Sequence, residues 1–267
     1  MKKILAISLA LIMLFALVAC NKDGANNVDG NENDKKVVEG DLYTDPTTGD
    51  VLGYEVNDLG SYEITSFSSK NHTPHKVEIP AAINGVEVTG IGAHAFKVNN
   101  QVSEIVLPDS LLYIGDWAFF GCANITAITI PDTVTSIGIG SFDNCVGLKS
   151  VKLSAALTKI EQFAFRGCVA LESVAIPATV TEICDGAFFE CSALTEVVIP
   201  AAVETIRDGA FMDCAALVKA TVPATVKTIG ARVFYGAADG FTVHAAEDSV
   251  AAKYAADNGY GFAKLEG

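Results

Sequence analysis

A strict 23-residue spacing of a few residue types constrains this 267-residue chain more than any other feature. Phenylalanine, isoleucine and cysteine each recur at that interval, and proline follows it with Ser154 in one proline slot. The phenylalanines are Phe96, Phe119, Phe142, Phe165, Phe188, Phe211 and Phe234; the cysteines are Cys122, Cys145, Cys168, Cys191 and Cys214; the isoleucines run from Ile91 to Ile229. A fixed period of this length is the signature of a repeat protein.

The repeating unit reads L-x-x-V-x-I-P-x-x-V-T-x-I-G-x-x-A-F-x-x-C. Its V-x-I segment alternates as a half-buried strand does, and the proline ends that strand because it has no amide proton. V-T-x-I predicts a second short strand, and A-F-x-x-C predicts a tight bend. One unit cannot bury its apolar face alone, so we expect the units to stack into a solenoid. Phenylalanine, isoleucine and cysteine then form columns along its length, about 4.8 Å apart.

The unit resembles the BspA-like leucine-rich repeat, over about Val77 to Tyr235. The stretch from Ile79 to Gly92 is similar to the longer first repeat of that family. The departures are mild and remove no core column: Ser154 for proline, Glu161, Cys184 and Arg207 for glycine, and Val233 for alanine. The predicted fold is a β-rich, right-handed leucine-rich-repeat solenoid with 23-residue coils, two short strands per coil and little helix.

Both ends of such a solenoid need caps, because an open end exposes core and strand edges. Short strands around Tyr54–Val56 and Tyr62–Ile64 suit the first end. At the other end, Thr242–Val243 reads as a strand and 250–257 as a helix that Asp248 or Ser249 caps. The predicted boundaries within the domain 42–267 are 42–79 for the N-terminal β cap, 80–239 for the repeats and 240–267 for the strand–helix cap.

The N-terminus has the pattern of an export signal. Lys2 and Lys3 precede an apolar run that ends at Ala19-Cys20. This end resembles the lipobox of bacterial lipoproteins, which implies cleavage after residue 19 and a lipid on Cys20 as the membrane anchor. The alternative is an uncleaved anchor helix, but the run of about 17 residues is shorter than the roughly 20 that a bilayer requires. Residues 20–41 are rich in Asn, Asp, Gly and Lys and predict a flexible linker.

Composition excludes several classes of protein. An apolar fraction of 50% excludes a mainly disordered chain, and a net charge of −14 argues against nucleic acid or anionic lipid as a partner. The mean hydropathy of +0.36 could suggest a multi-span membrane protein. Only the run before Cys20 is long and apolar enough to count, so the repeat core supplies the rest of that value.

The cysteines indicate packing rather than chemistry. Six remain once Cys20 is acylated, and five of them share one phase of the repeat, with Cys184 apart. We predict free buried thiols, because buried cysteine packs as a small hydrophobe. Disulfides between adjacent coils stay open as an alternative, since the coil spacing is within their Cα range. No cysteine spacing suits a metal, and His72 and His75 are interpreted as solvated loop residues.

Catalytic motifs are absent from the sequence. There is no G-x-S-x-G, H-E-x-x-H, P-loop or dinucleotide fingerprint, so we predict neither an enzyme nor a cofactor. Acidic residues in the bends, such as Asp116, Asp143 and Glu190, are interpreted as solvating charges.

Binding is the usual role of a solenoid, and two of its faces can be compared. The outward strand positions, from Glu104 and Val106 to Lys219 and Thr221, are small and mixed and predict a flat, nearly neutral surface. The bends instead place aromatic residues and methionine outside the core pattern, where such residues can anchor partners. The candidate binding residues are Trp117, Phe120, Phe163, Phe189, Met212 and Tyr235. The alternative is that these side chains fold over the next coil.

The resemblance implies an exported, lipid-anchored surface protein that adheres to host matrix proteins, host cells or other bacteria. Its ligand would be a protein or a glycan. The alternative function is an envelope scaffold or a carbohydrate-capturing module without a host target, and a hydrolase has the least support.

Overall fold

The computed structural model describes residues 42–265. Its N-terminal part is a small set of strands that closes the first coil. The strands are β1 (Leu42–Thr44), β2 (Val51–Val56), β3 (Tyr62–Ser68), β4 (His75–Glu78), β5 (Ala82–Ile83) and β6 (Val86–Ile91). β1, β2 and β3 pair antiparallel, and β3 then pairs parallel with β6. Asn84 and Gly85 join β5 to β6 with φ of 52° and 83°, which suits a tight hairpin turn.

Each repeat contributes two short strands, as the sequence predicts. The V-x-I strands are β7 (Val102–Val106), β9 (Ala127–Thr129), β11 (Ser150–Lys152), β13 (Ser173–Val174), β15 (Glu196–Val198) and β17 (Lys219–Thr221). The V-T-x-I strands are β8 (Tyr113–Ile114), β10 (Ser136–Ile137), β12 (Lys159–Ile160), β14 (Glu182–Ile183), β16 (Thr205–Ile206) and β18 (Thr228–Ile229). Neighbouring coils pair parallel in the register of the repeat, so Ser150 lies opposite Ala127 on one side and Ser173 on the other.

The bends after the second strands are also bonded from coil to coil. The Phe119 amide donates to the Ser141 carbonyl at 2.8 Å, and the Phe142 amide donates to the Ala164 carbonyl at 2.9 Å. Consecutive phenylalanine rings from Phe96 to Phe234 stack with centroids 5.0 to 5.8 Å apart. All seven of these rings are fully buried. The predicted phenylalanine column is therefore the centre of the core.

The C-terminal end is closed by β19 (Thr242–Ala245), helix α1 (Val250–Asn258) and β20 (Gly261–Lys264). The Ser249 hydroxyl caps the helix by accepting from the Ala252 amide, and Gly259 ends it in the left-handed region with φ of 71°. Ala251 and Ala255 are buried against the last coil. The predicted strand and helix are confirmed, and the helix is one residue longer than expected.

One continuous apolar core runs from Leu52 to Ala255. The described residues all belong to one compact unit, which contains this core and both closed ends, as expected of a segment that folds independently. Within the described residues, no helix is long and apolar enough to cross a membrane.

Candidate functional site

The bend face is the surface formed by the residues two before and one after each core phenylalanine. The residue two before has φ between 55° and 63° in every coil. This column contains His94, Trp117, Gly140, Phe163, Gly186, Gly209 and Arg232. Left-handed backbone normally favours glycine, yet four of the seven positions carry side chains. The fold thus places these side chains outside the core at a cost in backbone energy.

Trp117 and Phe163 each lie over a glycine of the following coil. A Cβ added to Gly140 would be 2.5 Å from the Trp117 ring, and one added to Gly186 would be 2.6 Å from the Phe163 ring. Both rings are half-buried as a result. For these two residues the structure has the alternative arrangement, in which the side chain folds over the next coil. Their role in binding stays a prediction.

A shallow groove of about 270 Å³ opens beside Phe163 on the bend face. Gly186 and Gly209 contribute to its lining, together with the Phe189 and Met212 side chains. The structure therefore brings three of the six predicted binding residues, Phe163, Phe189 and Met212, to one groove.

The other three candidates lie elsewhere on the bend face. Trp117 and Phe120 pack edge to face at 5.5 Å, and the Lys97 ammonium lies 5.6 Å from the centre of the Phe120 ring. Tyr235 is 60% exposed, the most open of the six.

The interpretation of Asp143 as a solvating charge is wrong. Its side chain is fully buried, and its carboxylate accepts from the Arg166 guanidinium, with Nη2–Oδ2 at 2.6 Å and Nε–Oδ1 at 3.0 Å. Burial raises the pKa of Asp143, against the opposing pull of Arg166. The Arg166 guanidinium also lies 4.9 Å from the centre of the Phe163 ring. The sequence signal for this ion pair was its spacing. Asp143 and Arg166 each follow a core phenylalanine and are 23 residues apart, so stacking of the coils brings them side by side.

The strand face is not uniformly flat. Its outward positions are mostly exposed, as expected, but a depression of about 710 Å³ lies over β7, β9 and β11. It forms where the small side chains of Ala127 and Thr129 lie between Glu104 of one coil and Lys152 of another. The expectation of a flat surface is therefore wrong at this place, because neighbouring coils differ in side-chain length.

The column cysteines occupy one repeated environment. Each thiol donates to a phenylalanine carbonyl, as Cys122 does to Phe96 at 3.0 Å and Cys168 does to Phe142 at 3.2 Å. All six thiols of the described part are free and buried. Cys184, outside the column, is 3.9 Å from the Glu161 carboxylate. Burial raises the pKa of Cys122 and of Cys184 to about 12.

The interpretation of His75 as a solvated loop residue is also wrong. His75 begins β4, and its Nε2 is 2.8 Å from the carboxylate of the buried Asp50, while its Nδ1 is 3.0 Å from the Thr73 carbonyl. His72 is exposed, as expected. Among residues 42–265, no group of three or more His, Cys, Asp or Glu side chains is arranged to hold a metal.

The stacked coils, parallel strand columns and closed ends define a leucine-rich-repeat solenoid. The sequence profile of the BspA type Leucine rich repeat region matches residues 63–188 and 119–239 in six copies. The chain belongs to this BspA-type leucine-rich-repeat family.

Solved structures show the same architecture. A leucine rich cell surface protein from Faecalibacterium prausnitzii is 30% identical with a TM-score of 0.66, over 78% of this chain and 55% of that one. A leucine-rich repeat protein from Eubacterium ventriosum is 25% identical with a TM-score of 0.58, over 69% and 50%. The chain thus spans about half the length of both proteins. The leucine-rich repeat protein of T. pallidum shares the fold at 21% identity and a TM-score of 0.50, over 79% and 95%. No curated protein matches significantly.

The predicted signal 1–19, the lipidation residue Cys20 and the linker 20–41 lie outside the described residues. They stay predictions from the sequence.

Proposed function

We propose that this protein is a lipid-anchored surface module that binds partner proteins through its bend face and acts as an adhesin. The observation that carries this proposal is the bend face itself. It concentrates aromatic side chains, methionine and arginine beside a groove, and these residue types are enriched in the buried cores of protein interfaces. The F. prausnitzii neighbour is described as a cell surface protein, which supports the same location for this chain.

The strand face fits this role less well. Its outward side chains are small or charged, and several charges are already paired, such as Lys219 with Glu196 at 3.3 Å. Exposed ion pairs of this kind contribute little binding energy. The bend face offers larger apolar contact area per residue.

The anchor is tested at Cys20. We expect cells that express the full chain to incorporate labelled fatty acid into it, and Cys20→Ala to abolish the label, because the thiol is the predicted acylation site. The measurement is gel fluorography of the labelled chain. Equal labelling of the variant would contradict lipid attachment at Cys20.

Adhesion is tested with Phe189→Ser and Tyr235→Ser, singly and together. We expect the double variant to lose at least about tenfold in binding to immobilised matrix proteins, because a buried aromatic anchor contributes about 2 kcal/mol or more. Melting temperature should change little, since Tyr235 is 60% exposed and Phe189 is half-buried. A large fall in melting temperature would assign Phe189 to the core instead.

Val198→Ser is the matched control, because Val198 is 59% exposed on the strand face. The bend-face proposal predicts full adhesion for this variant. Loss of adhesion in Val198→Ser with full adhesion in the double variant would assign binding to the strand face. If the wild-type chain binds only to the envelope of the cell that produces it, the adhesin proposal is wrong and the envelope scaffold is the function instead.

A further inference from the structure

The floor of the bend-face groove is open at Gly209, whereas equivalent glycines are covered by a ring. Trp117 covers Gly140 and Phe163 covers Gly186. Gly186 has no side chain, so its coil supplies nothing to cover Gly209. A Cβ added at Gly209 would meet only Met212 of its own coil, at 3.6 Å. Aromatic rings therefore pack on the backbone at two glycines of this column, and the backbone of Gly209 has no such ring.

The charges around Gly209 match an aromatic ring. Arg232 lines the groove, is exposed, and takes part in no ion pair among the described residues. A guanidinium attracts the negative face of a ring, as Arg166 already does with Phe163. Asp185 and Asp208 add carboxylates to the lining. The edge of an aromatic ring is positive, so these carboxylates favour an edge that carries an N–H or O–H donor.

The size of the groove limits the occupant. Pockets for drug-sized ligands span about 300–1,000 Å³, and this groove has about 270 Å³. It therefore suits one side chain rather than a long segment. In the sequence before the described part, residues 20–41 contain no aromatic residue, so that linker offers no such side chain.

We propose that the slot over Gly209, between Phe163 and Arg232, binds a tyrosine or tryptophan side chain of a partner protein. This inference rests on the proposed protein-binding function and names the residue that the bend face recognises. The ring packs on the backbone of Gly209 with one face toward the Arg232 guanidinium. Its O–H or N–H donates to Asp185 or Asp208.

The test is an NMR titration of residues 38–267 with four probes. N-acetyl-L-tyrosinamide and N-acetyl-L-tryptophanamide are the aromatic probes, and N-acetyl-L-leucinamide and methyl α-D-glucopyranoside are the comparisons. We expect saturable shifts of the Gly186 and Gly209 amide signals with both aromatic probes only. Equal binding of the leucine or glucose probe, or aromatic shifts confined to other residues, would overturn the proposal.

Gly209→Leu fills the slot and should weaken aromatic binding by at least about tenfold. The same column carries Trp117 and Phe163 at φ of 55° and 57°, so the backbone at Gly209, with φ of 61°, accepts a side chain. Gly240→Leu is the control for backbone strain, because Gly240 has φ of 80° and no neighbour within 4 Å of an added Cβ. Unchanged affinity in Gly209→Leu would exclude the slot, and Arg232→Gln should weaken binding with no loss of melting temperature.

Two further results separate this inference from the proposed function. If the aromatic probes fail to bind but the Phe189→Ser/Tyr235→Ser variant still loses adhesion, the slot alone is refuted. If the aromatic probes bind but the protein adheres to no other protein, the proposed function alone is refuted. Sedimentation tests a second copy as the occupant: concentration-dependent dimers that Tyr235→Ser abolishes would replace the foreign partner with self-association through the exposed Tyr235.

Discussion

At the residue scale, position within the period decides what a side chain does. The same residue type has opposite roles at different phases: Phe165 is fully buried in the core stack, whereas Phe163, two residues earlier, lies half-buried on the bend face. Backbone explains the difference, since Phe163 has φ of 57°. Aspartate behaves likewise, because Asp116 is exposed but Asp143 is buried against Arg166. Burial therefore follows phase and neighbouring coils rather than residue type.

The thiols provide a test at this scale. Burial raises the pKa of Cys122 and Cys214 to about 12, so both stay protonated at pH values near 8. We expect folded residues 38–267 to react very slowly with a thiol reagent, because the thiolate is the nucleophile. In guanidinium without reductant, all six thiols should react. Cys184→Ala should remove one of them. Two or fewer reactive thiols in the unfolded wild type would establish disulfides.

At the element scale, polar side-chain contacts fasten each cap to the coil beside it. The Tyr113 hydroxyl donates to Glu63 of β3 at 2.5 Å, and Asn57 donates to the same hydroxyl at 3.3 Å. Burial and Glu63 raise the pKa of Tyr113. The Tyr113 ring packs directly on Gly90, because a Cβ added there would be 2.3 Å from the ring. A residue with a side chain at position 90 would displace the ring. At the other end, the Tyr254 hydroxyl accepts from the Val233 amide at 2.9 Å.

His75 should make the N-terminal cap more stable in mild acid. Burial opposes its charge, but hydrogen bonds to Thr73 and Asp50 outweigh this and raise the pKa of His75 above its ordinary value of 6.5. Its contribution is therefore complete below the unfolded pKa and is lost as pH rises through the folded pKa. We expect His75→Gln to lower the melting temperature more at about pH 5.5 than at about pH 8.5.

His72→Gln is the control, because His72 is exposed in the loop that precedes β4. It should shift the melting temperature equally little at both pH values. Hydrogen exchange of the β2 and β3 amides locates the effect in the cap. A deficit in His75→Gln that is the same size at both pH values would show that the histidine acts by packing rather than by charge.

At the scale of the whole molecule, stability is spread along a quasi-one-dimensional stack. Each coil contacts chiefly its neighbours, so the free energy of unfolding is approximately a sum over coils and their interfaces. The parallel register advances by one period at every pairing, as in Lys159 with Glu182 and Glu182 with Thr205. The caps protect the terminal coils, whose edges would otherwise be exposed.

Deletion of residues 147–169 should leave a folded solenoid that is one coil shorter. The deletion removes 23 residues, so every later column keeps its phase. We expect one cooperative transition with a smaller dependence on denaturant, because that slope scales with the area exposed on unfolding. Circular dichroism and urea titration measure both.

Deletion of 147–168 is the control. It removes 22 residues, one fewer than the period, so every later phenylalanine moves out of the column. We expect this variant to lose cooperative unfolding. Equal stability of the two deletions would contradict a core built on exact register.

The 23-residue pattern alone predicts the repeat, the two strands of each coil and the core columns, and the residues after it predict the closing helix. The repeat, its strands and its columns can be predicted because the same pattern returns at a fixed interval. Parallel stacking of the coils then places residues that are one period apart in contact. Features that depend on differences between coils, or on contacts between residues that are not a whole period apart, follow only from the packed fold. The Asp143–Arg166 pair, the rings over Gly140 and Gly186, and the open floor at Gly209 arise because neighbouring side chains differ in size and charge. The His75–Asp50 pair forms in the cap, where the chain leaves the period and only the packed strands set which residues meet.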